Sequence, residues 1–420
     1  MNIQRLQQTL NELNQFGYSD KGINRIAYSE AEQEALQYMI NTLEAEGLKV
    51  RKDAIGNVIA RREGMEPKLP VIAFGSHMDT VYNGGQYDGA VGVVAGLEVI
   101  RMLNDEKMET KYPIELIIFA CEESARFGIA TIGSKAMTGR ITQNELMTLK
   151  DRDGISFFDA LHAQSLNVDG LDKVVRDKSD IKAFYELHVE QGIVLEHEQK
   201  QIGIVSGIAA PTRYEIIVKG QAAHSGATPM WLRKDAFTGA AEIVLLVEQS
   251  ARSEALNGTV ATVGSTHISP NAMNVVPGEV TIQVDIRGVF KASKDKIVRD
   301  MKRKIEEIKT RRNLEIECTE MCDELPVKLE TNIIQSIKNT CKKQQLSYLE
   351  MPSGAGHDAM NMAQQYPTGM IFIPSKDGIS HNKDEYTSIE EVGTGVMVLK
   401  GEIAKMAEVV QKQSTRGEVK

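Results

Sequence analysis

The sequence predicts an α/β fold in two parts: a discontinuous domain with a mostly parallel sheet flanked by helices, and a smaller β-α-β-β-α-β domain inserted into it. Three observations carry this. Short, almost purely apolar runs alternate with amphipathic helical periods in the first half of the chain, as expected of strands buried on both faces. The character changes to one-sided strands after Gly207, and returns to the first pattern after Pro326. The length, 420 residues, exceeds what one compact core usually supports, so two domains are expected.

Taken in order, residues 1–17 alternate as an amphipathic helix and lack a basic stretch followed by an apolar run, so no export signal is expected there. Residues 71–74 and 114–120 are the clearest buried strands, and between them 89–103, with Val91, Val94, Leu97, Val99 and Ile100, reads as a helix packed on their sheet. Gly207-Ile-Ala-Ala-Pro211 reads as a connection into something new. The predicted insert then runs strand 213–219, helix 234–253, strand 259–267, strand 279–288, helix 293–311 and strand 314–321, the split ferredoxin-like order. Its third strand is the cleanest, since Val280, Ile282, Val284 and Ile286 alternate with polar neighbours. Residues 369–373 are another buried strand, and the polar tail after Lys412 is expected to fray. The predicted boundaries are 1–210 and 327–420 for the discontinuous domain and 211–326 for the insert.

Bulk properties exclude some classes of function. A net charge of −9, with no long Lys/Arg stripe, argues against nucleic acid and anionic membrane as partners. No stretch approaches the roughly 20 apolar residues of a membrane span. Cys121, Cys318, Cys322 and Cys341 are too few and too scattered for a disulfide framework. A soluble, cytoplasmic protein is expected.

In open parallel sheets, ligands sit beyond the carboxyl ends of the strands. The run 71–74 leads straight into Gly75-Ser-His-Met-Asp79, and 114–120 into Cys121-Glu-Glu-Ser-Ala-Arg126. Asp79, two residues after His77, is the expected partner that fixes the tautomer of a ligand imidazole. Asp88, at the start of the next helix, suits either a metal or an N-cap. Glu122 and Glu123 repel each other unless a cation or a shared proton is present. One of them can coordinate while the other handles protons. Five of the eight histidines, His77, His188, His224, His357 and His381, lie in Gly- or Ser-flanked motifs, whereas His162, His197 and His267 do not.

In these motifs, from the N-terminal helix to about Ser388, the sequence resembles the hydantoinase/carbamoylase family of zinc or manganese amidohydrolases. That group includes N-carbamoyl-L-amino-acid hydrolases, allantoate amidohydrolases and β-ureidopropionases, and is related to aminoacylases and zinc carboxypeptidases. The resemblance implies two divalent ions (zinc or manganese, with cobalt or nickel also accommodated), bridged by Asp88. His77 and His188 complete one coordination sphere, and Glu123 and His381 the other. It also implies Glu122 as general base and His224 as oxyanion donor, often from a partner subunit. Asn274 and Arg287 grip the substrate carboxylate, and Gln191 and His357 make further substrate contacts. The implied insert is a dimerisation (lid) domain that closes on the catalytic domain, and the implied assembly is a homodimer. The implied reaction cleaves an N-carbamoyl-L-amino acid to amino acid, carbon dioxide and ammonia. Allantoate, N-acyl amino acids and dipeptides are alternative substrates. Ser124 stands where the family usually has glycine, and Cys121 precedes the two glutamates, which leaves the pocket's fine shape and the substrate open.

Overall fold

The computed structural model describes residues 1–166 and 168–410. The tail expected to fray after Lys412 lies outside them. The chain divides into two compact units, one formed by Met1–Ser206, Leu329–Met351 and the residues from Gly356 onward, the other by Gly207–Lys328 with Pro352–Ala355.

In the first unit, a sheet runs in the order Lys49–Lys52, Val58–Arg62, Ile114–Phe119, Val71–His77, Ile181–Val189, Thr368–Ile373, Ile202–Ile208. The expectation of a mostly parallel sheet needs correction, because the sheet is mixed. Its four central strands are mutually parallel, but both flanks are antiparallel. The short link between Lys49–Lys52 and Val58–Arg62 can join only antiparallel neighbours, since a parallel crossover needs a dozen or more residues. The central strands are the apolar runs of the sequence, and every residue of Val71–His77, Ile114–Phe119 and Thr368–Ile373 is buried.

Helices Ala90–Asp105 and Ile389–Met406 pack on this sheet. Ser388 caps Ile389–Met406 with a reciprocal Ser388/Glu391 box, which satisfies two otherwise orphaned backbone donors. Helix Ala90–Asp105 is buried almost all round and sits so close to the sheet that a Cβ on Gly92 would fall 2.3 Å from the Leu187 carbonyl oxygen. No helix of the described residues is long and apolar enough to cross a membrane.

The second unit is a four-stranded antiparallel sheet in the order Val260–Ser269, Glu279–Gly288, Ala210–Lys219, Glu315–Asp323. Helices Ala236–Ser253 and Lys291–Arg312 separate the strands, so the chain order is strand, helix, two strands, helix, strand. Val280, Ile282, Val284 and Ile286 point into a core that the helices close with Ile243, Val247, Ile297, Met301, Ile305 and Ile308. The first strand begins at Ala210, earlier than position 213, because Ala210, Pro211 and Thr212 already pair with Gly288, Arg287 and Ile286. Val327–Lys328 leaves the unit paired with Ile208 and Gly207 at its entry.

Candidate metal centre and active site

His77 is the last residue of Val71–His77, and its Nδ1 donates to the Asp79 carbonyl oxygen at 2.9 Å. His188, near the end of the adjacent parallel strand, makes the equivalent bond from Nδ1 to Val189 O, also at 2.9 Å. A ring whose Nδ1 carries the proton presents the Nε2 lone pair. Both Nε2 atoms face one carboxylate oxygen, Asp88 Oδ1, at 3.7 Å from His77 and 3.0 Å from His188.

The role expected of Asp79 needs correction. Its carboxylate lies 3.7 Å from His77 Nδ1, and the backbone carbonyl takes the imidazole proton instead. The carboxylate is committed elsewhere, accepting the backbone N–H of Glu122 at 3.1 Å and of Glu123 at 2.9 Å. Asp79 thereby ties the ends of two adjacent parallel strands together. The start of Ile132–Met137 holds the same loop from the other side, through Thr131 N to Glu122 O at 2.6 Å and Ile132 N to Cys121 O at 3.0 Å.

Asp88 is not an N-cap. The cap of Ala90–Asp105 is Gly89, with φ +63° and no side-chain capping bond, which leaves the Asp88 carboxylate for the imidazoles. Its other oxygen, Oδ2, is 3.1 Å from His381 Nε2 and accepts from Gln191 Nε2 at 2.9 Å. His381 Nε2 also lies 3.3 Å from Glu123 Oε1. The structure therefore gathers His77, Asp88 and His188 into one group of potential ligand atoms and Asp88, Glu123 and His381 into another, and Asp88 is common to both. Glu122 Oε2 faces His77 Nε2 at 3.7 Å.

The electrostatics favour a positive charge here. Burial works to raise the Asp88 carboxyl, yet its bonds with His188 and His381 hold it well below the usual range. Asp88 and Glu123 draw His381 up to about 11, and Asp88 raises His188 to about 9 against the burial that lowers it. At His77 burial prevails and pushes the ring down. Burial, then Glu123 and Asp358, lifts Glu122 well above the usual carboxylate range.

Divalent ions fit these residues. Imidazole and carboxylate are the donors zinc and manganese accept, and the Gln191 side-chain oxygen beside Asp88 is buried without a hydrogen-bond partner. His357 is buried, with its ring centroid 4.5 Å from that of His188, and burial followed by His188 pushes it well below the usual imidazole range. A third group of potential ligand atoms, Glu186, His188 and His357, shares His188. Glu186 there accepts from Ser76 Oγ at 2.7 Å and from Ala359 N at 2.8 Å.

His224, Asn274 and Arg287 lie in the second unit. His224 and Asn274 are neighbours, since His224 pairs with Val275 and Ser225 N donates to Asn274 O at 3.0 Å. The Arg287 fork is oriented by its Nε bond to Asp285 at 3.1 Å.

Glu385 is a residue that sequence reasoning missed. Its Oε2 accepts the backbone N–H of Tyr87 at 2.9 Å and of Asp88 at 3.0 Å, and its Oε1 accepts from Ser380 Oγ at 2.7 Å. It lies in Asn382-Lys-Asp-Glu385, which reads as a solvated turn, and only the fold reveals that Glu385 is buried.

Comparison with known proteins gives a consistent result. Residues 73–405 match peptidase family M20/M25/M40. The chain is 43% identical to an uncharacterized hydrolase of Haemophilus influenzae, over 97% of this chain and 99% of that protein. It is 36% identical to the N-carbamoyl-L-amino-acid amidohydrolase of Paenarthrobacter aurescens (94% and 96%). It is 34% identical to the allantoate amidohydrolase of Escherichia coli (94% and 96%). Among solved structures, a hydantoinase/carbamoylase family amidase from Burkholderia multivorans superposes with a TM-score of 0.90 at 34% identity, covering 97% of this chain and 98% of that one.

Proposed function

The chain belongs to peptidase family M20/M25/M40, and on that premise we propose that it hydrolyses an N-carbamoyl-L-amino acid to the amino acid, carbon dioxide and ammonia. It is an amidohydrolase, acting on C–N amide bonds like its named relatives. The observation that carries the proposal is the pair of ligand groups sharing Asp88. In this reading His77, Asp88 and His188 hold one divalent ion and Asp88, Glu123 and His381 the other. Bound there, the ions would supply Lewis-acid chemistry, polarising the carbonyl under attack and acidifying water.

The chain's own residues do the rest. Glu122 takes the proton of the attacking water on a carboxylate oxygen and returns it to the departing nitrogen. Its lifted affinity for protons, from burial and Glu123, suits it to hold that proton between the two steps. His224 accepts backbone N–H groups at Nδ1, so its Nε2 carries the proton, and that N–H donates to the oxyanion. Asn274 and the planar fork of Arg287 bind the substrate carboxylate, while Gln191 and His357 contact the remainder of the substrate. Collapse of the tetrahedral centre releases ammonia, and the carbamate left behind loses carbon dioxide.

The 36% identical relative named for N-carbamoyl-L-amino acids supports this substrate. The 34% identical allantoate amidohydrolase supports a second reading, in which the same chemistry acts on allantoate. We place the protein in the cytoplasm as a homodimer. Its four cysteines are unpaired, and the edge strand Val260–Ser269 is exposed along most of its length, a surface suited to a twofold contact. Light scattering should give twice the chain mass. Glu122→Gln should abolish turnover with metal content unchanged by mass spectrometry, and substantial remaining activity would show that Glu122 is not the base.

A further inference from the structure

We infer that Arg233 is a positioning residue that locks the imidazole of His224 as an Nε2–H donor. This rests on the proposed role of His224 in the reaction. His224 opens a tight turn, Ser225-Gly-Ala-Thr228, and its carbonyl accepts Thr228 N at 3.1 Å. Its Nδ1 accepts two backbone donors, Gly226 N and Ala227 N, each at 3.1 Å. An imidazole nitrogen that receives two N–H groups cannot carry a proton of its own, so the neutral ring must keep its proton on Nε2.

Beside these backbone bonds, one side chain braces the turn's carbonyls. Arg233 Nε donates to Thr228 O at 3.1 Å, and Arg233 Nη2 donates to Ser225 O. Both bonds go to main-chain carbonyls of the turn rather than to a carboxylate. The rigid guanidinium fork therefore spans the turn's two ends and aims the Gly226 and Ala227 amides at Nδ1. Without it, the carbonyls of Ser225 and Thr228 turn to solvent, the amides leave Nδ1, and the ring of His224, which is exposed, rotates freely. A surface arginine with only a solubilising role would leave the ring unaffected.

The test is two-bond proton–nitrogen NMR of zinc-loaded protein labelled with 15N-histidine, with His224→Ala used to assign the ring. The wild type should show His224 as a single Nε2–H tautomer. Arg233→Met should average the two tautomers and lower kcat about tenfold with KM and metal content unchanged, a smaller loss than the roughly 10²–10³ for deleting an oxyanion donor. Arg233→Lys, which keeps the charge but can reach only one of the two carbonyls, should restore only a small part of either. An Nδ1–H or averaged pattern in the wild type overturns the inference whether or not Arg233→Met folds, and so does an Arg233→Met spectrum identical to the wild type. Full activity in His224→Ala would overturn instead the donor role on which the inference rests.

Discussion

Replacing Gly89 by alanine drives a methyl group into the ring of His77. The added Cβ would lie 2.4 Å from both Cε1 and Nε2 of His77 and 2.5 Å from Cδ2, where ordinary contact begins at about 3.5 Å. The overlap is therefore about 1 Å, and it falls on a nitrogen proposed to hold an ion, so the ring must tip away from Asp88. Backbone strain adds to this, since Gly89 sits at φ +63° and ψ −49°, outside even the left-handed α region, where an L-residue costs roughly 1–3 kcal/mol. A displacement of about 1 Å at a reacting centre can cost on the order of 10²-fold in rate. Gly154 separates the two effects, because its φ is +83° but nothing lies within 4 Å of a built Cβ. Measured by metal content after dialysis, kcat and thermal melting, Gly154→Ala should lose stability only. Gly89→Ala should lose stability, bound metal and about two orders of magnitude in kcat. Wild-type metal content and kcat in Gly89→Ala would refute the placement of His77 against the Asp88 turn.

Other substitutions probe the same construction. Asp79→Asn should cost about 1–3 kcal/mol, because one of the buried N–H groups of Glu122 and Glu123 then faces an amide N–H instead of an acceptor, and urea unfolding checks it. Glu32 is buried, and burial lifts its carboxyl from 4.5 to about 7. The folded chain then keeps a proton that the unfolded chain releases, so stability falls as pH rises from about 4.5 to 7. Glu32→Gln should remove that part of the slope in unfolding curves taken across this range, and an unchanged slope would rule the group out.

Much of this was legible because the chemistry is clustered in short motifs. His77, Asp88, Glu123, His188 and His381 each follow or flank a recognisable strand or glycine turn, and the strands at Val71–His77 and Ile114–Phe119 announce themselves by unbroken apolarity. What escaped depends on contacts between residues distant in the chain. Whether Asp79 serves His77 by carboxylate or carbonyl turns on the amides of Glu122 and Glu123, more than 40 positions away. Arg25 is wholly buried, donating through Nε to Met78 O at 2.6 Å, yet in sequence it looks like any surface arginine. The antiparallel flanks of the sheet likewise follow from link lengths and pairing, which apolar runs alone do not encode.

Ammonia release by protein loaded with zinc or manganese tests the proposed reaction directly. It should be measured on a panel of N-carbamoyl-L-amino acids beside allantoate, with free amino acid from N-acetyl amino acids and dipeptides followed in parallel. Hydrolysis of the carbamoyl bond predicts ammonia with an equal amount of amino acid from the carbamoyl compounds, and none of either from the Glu122→Gln protein. Amino acid from acyl compounds or dipeptides, without ammonia from any carbamoyl compound, would contradict it.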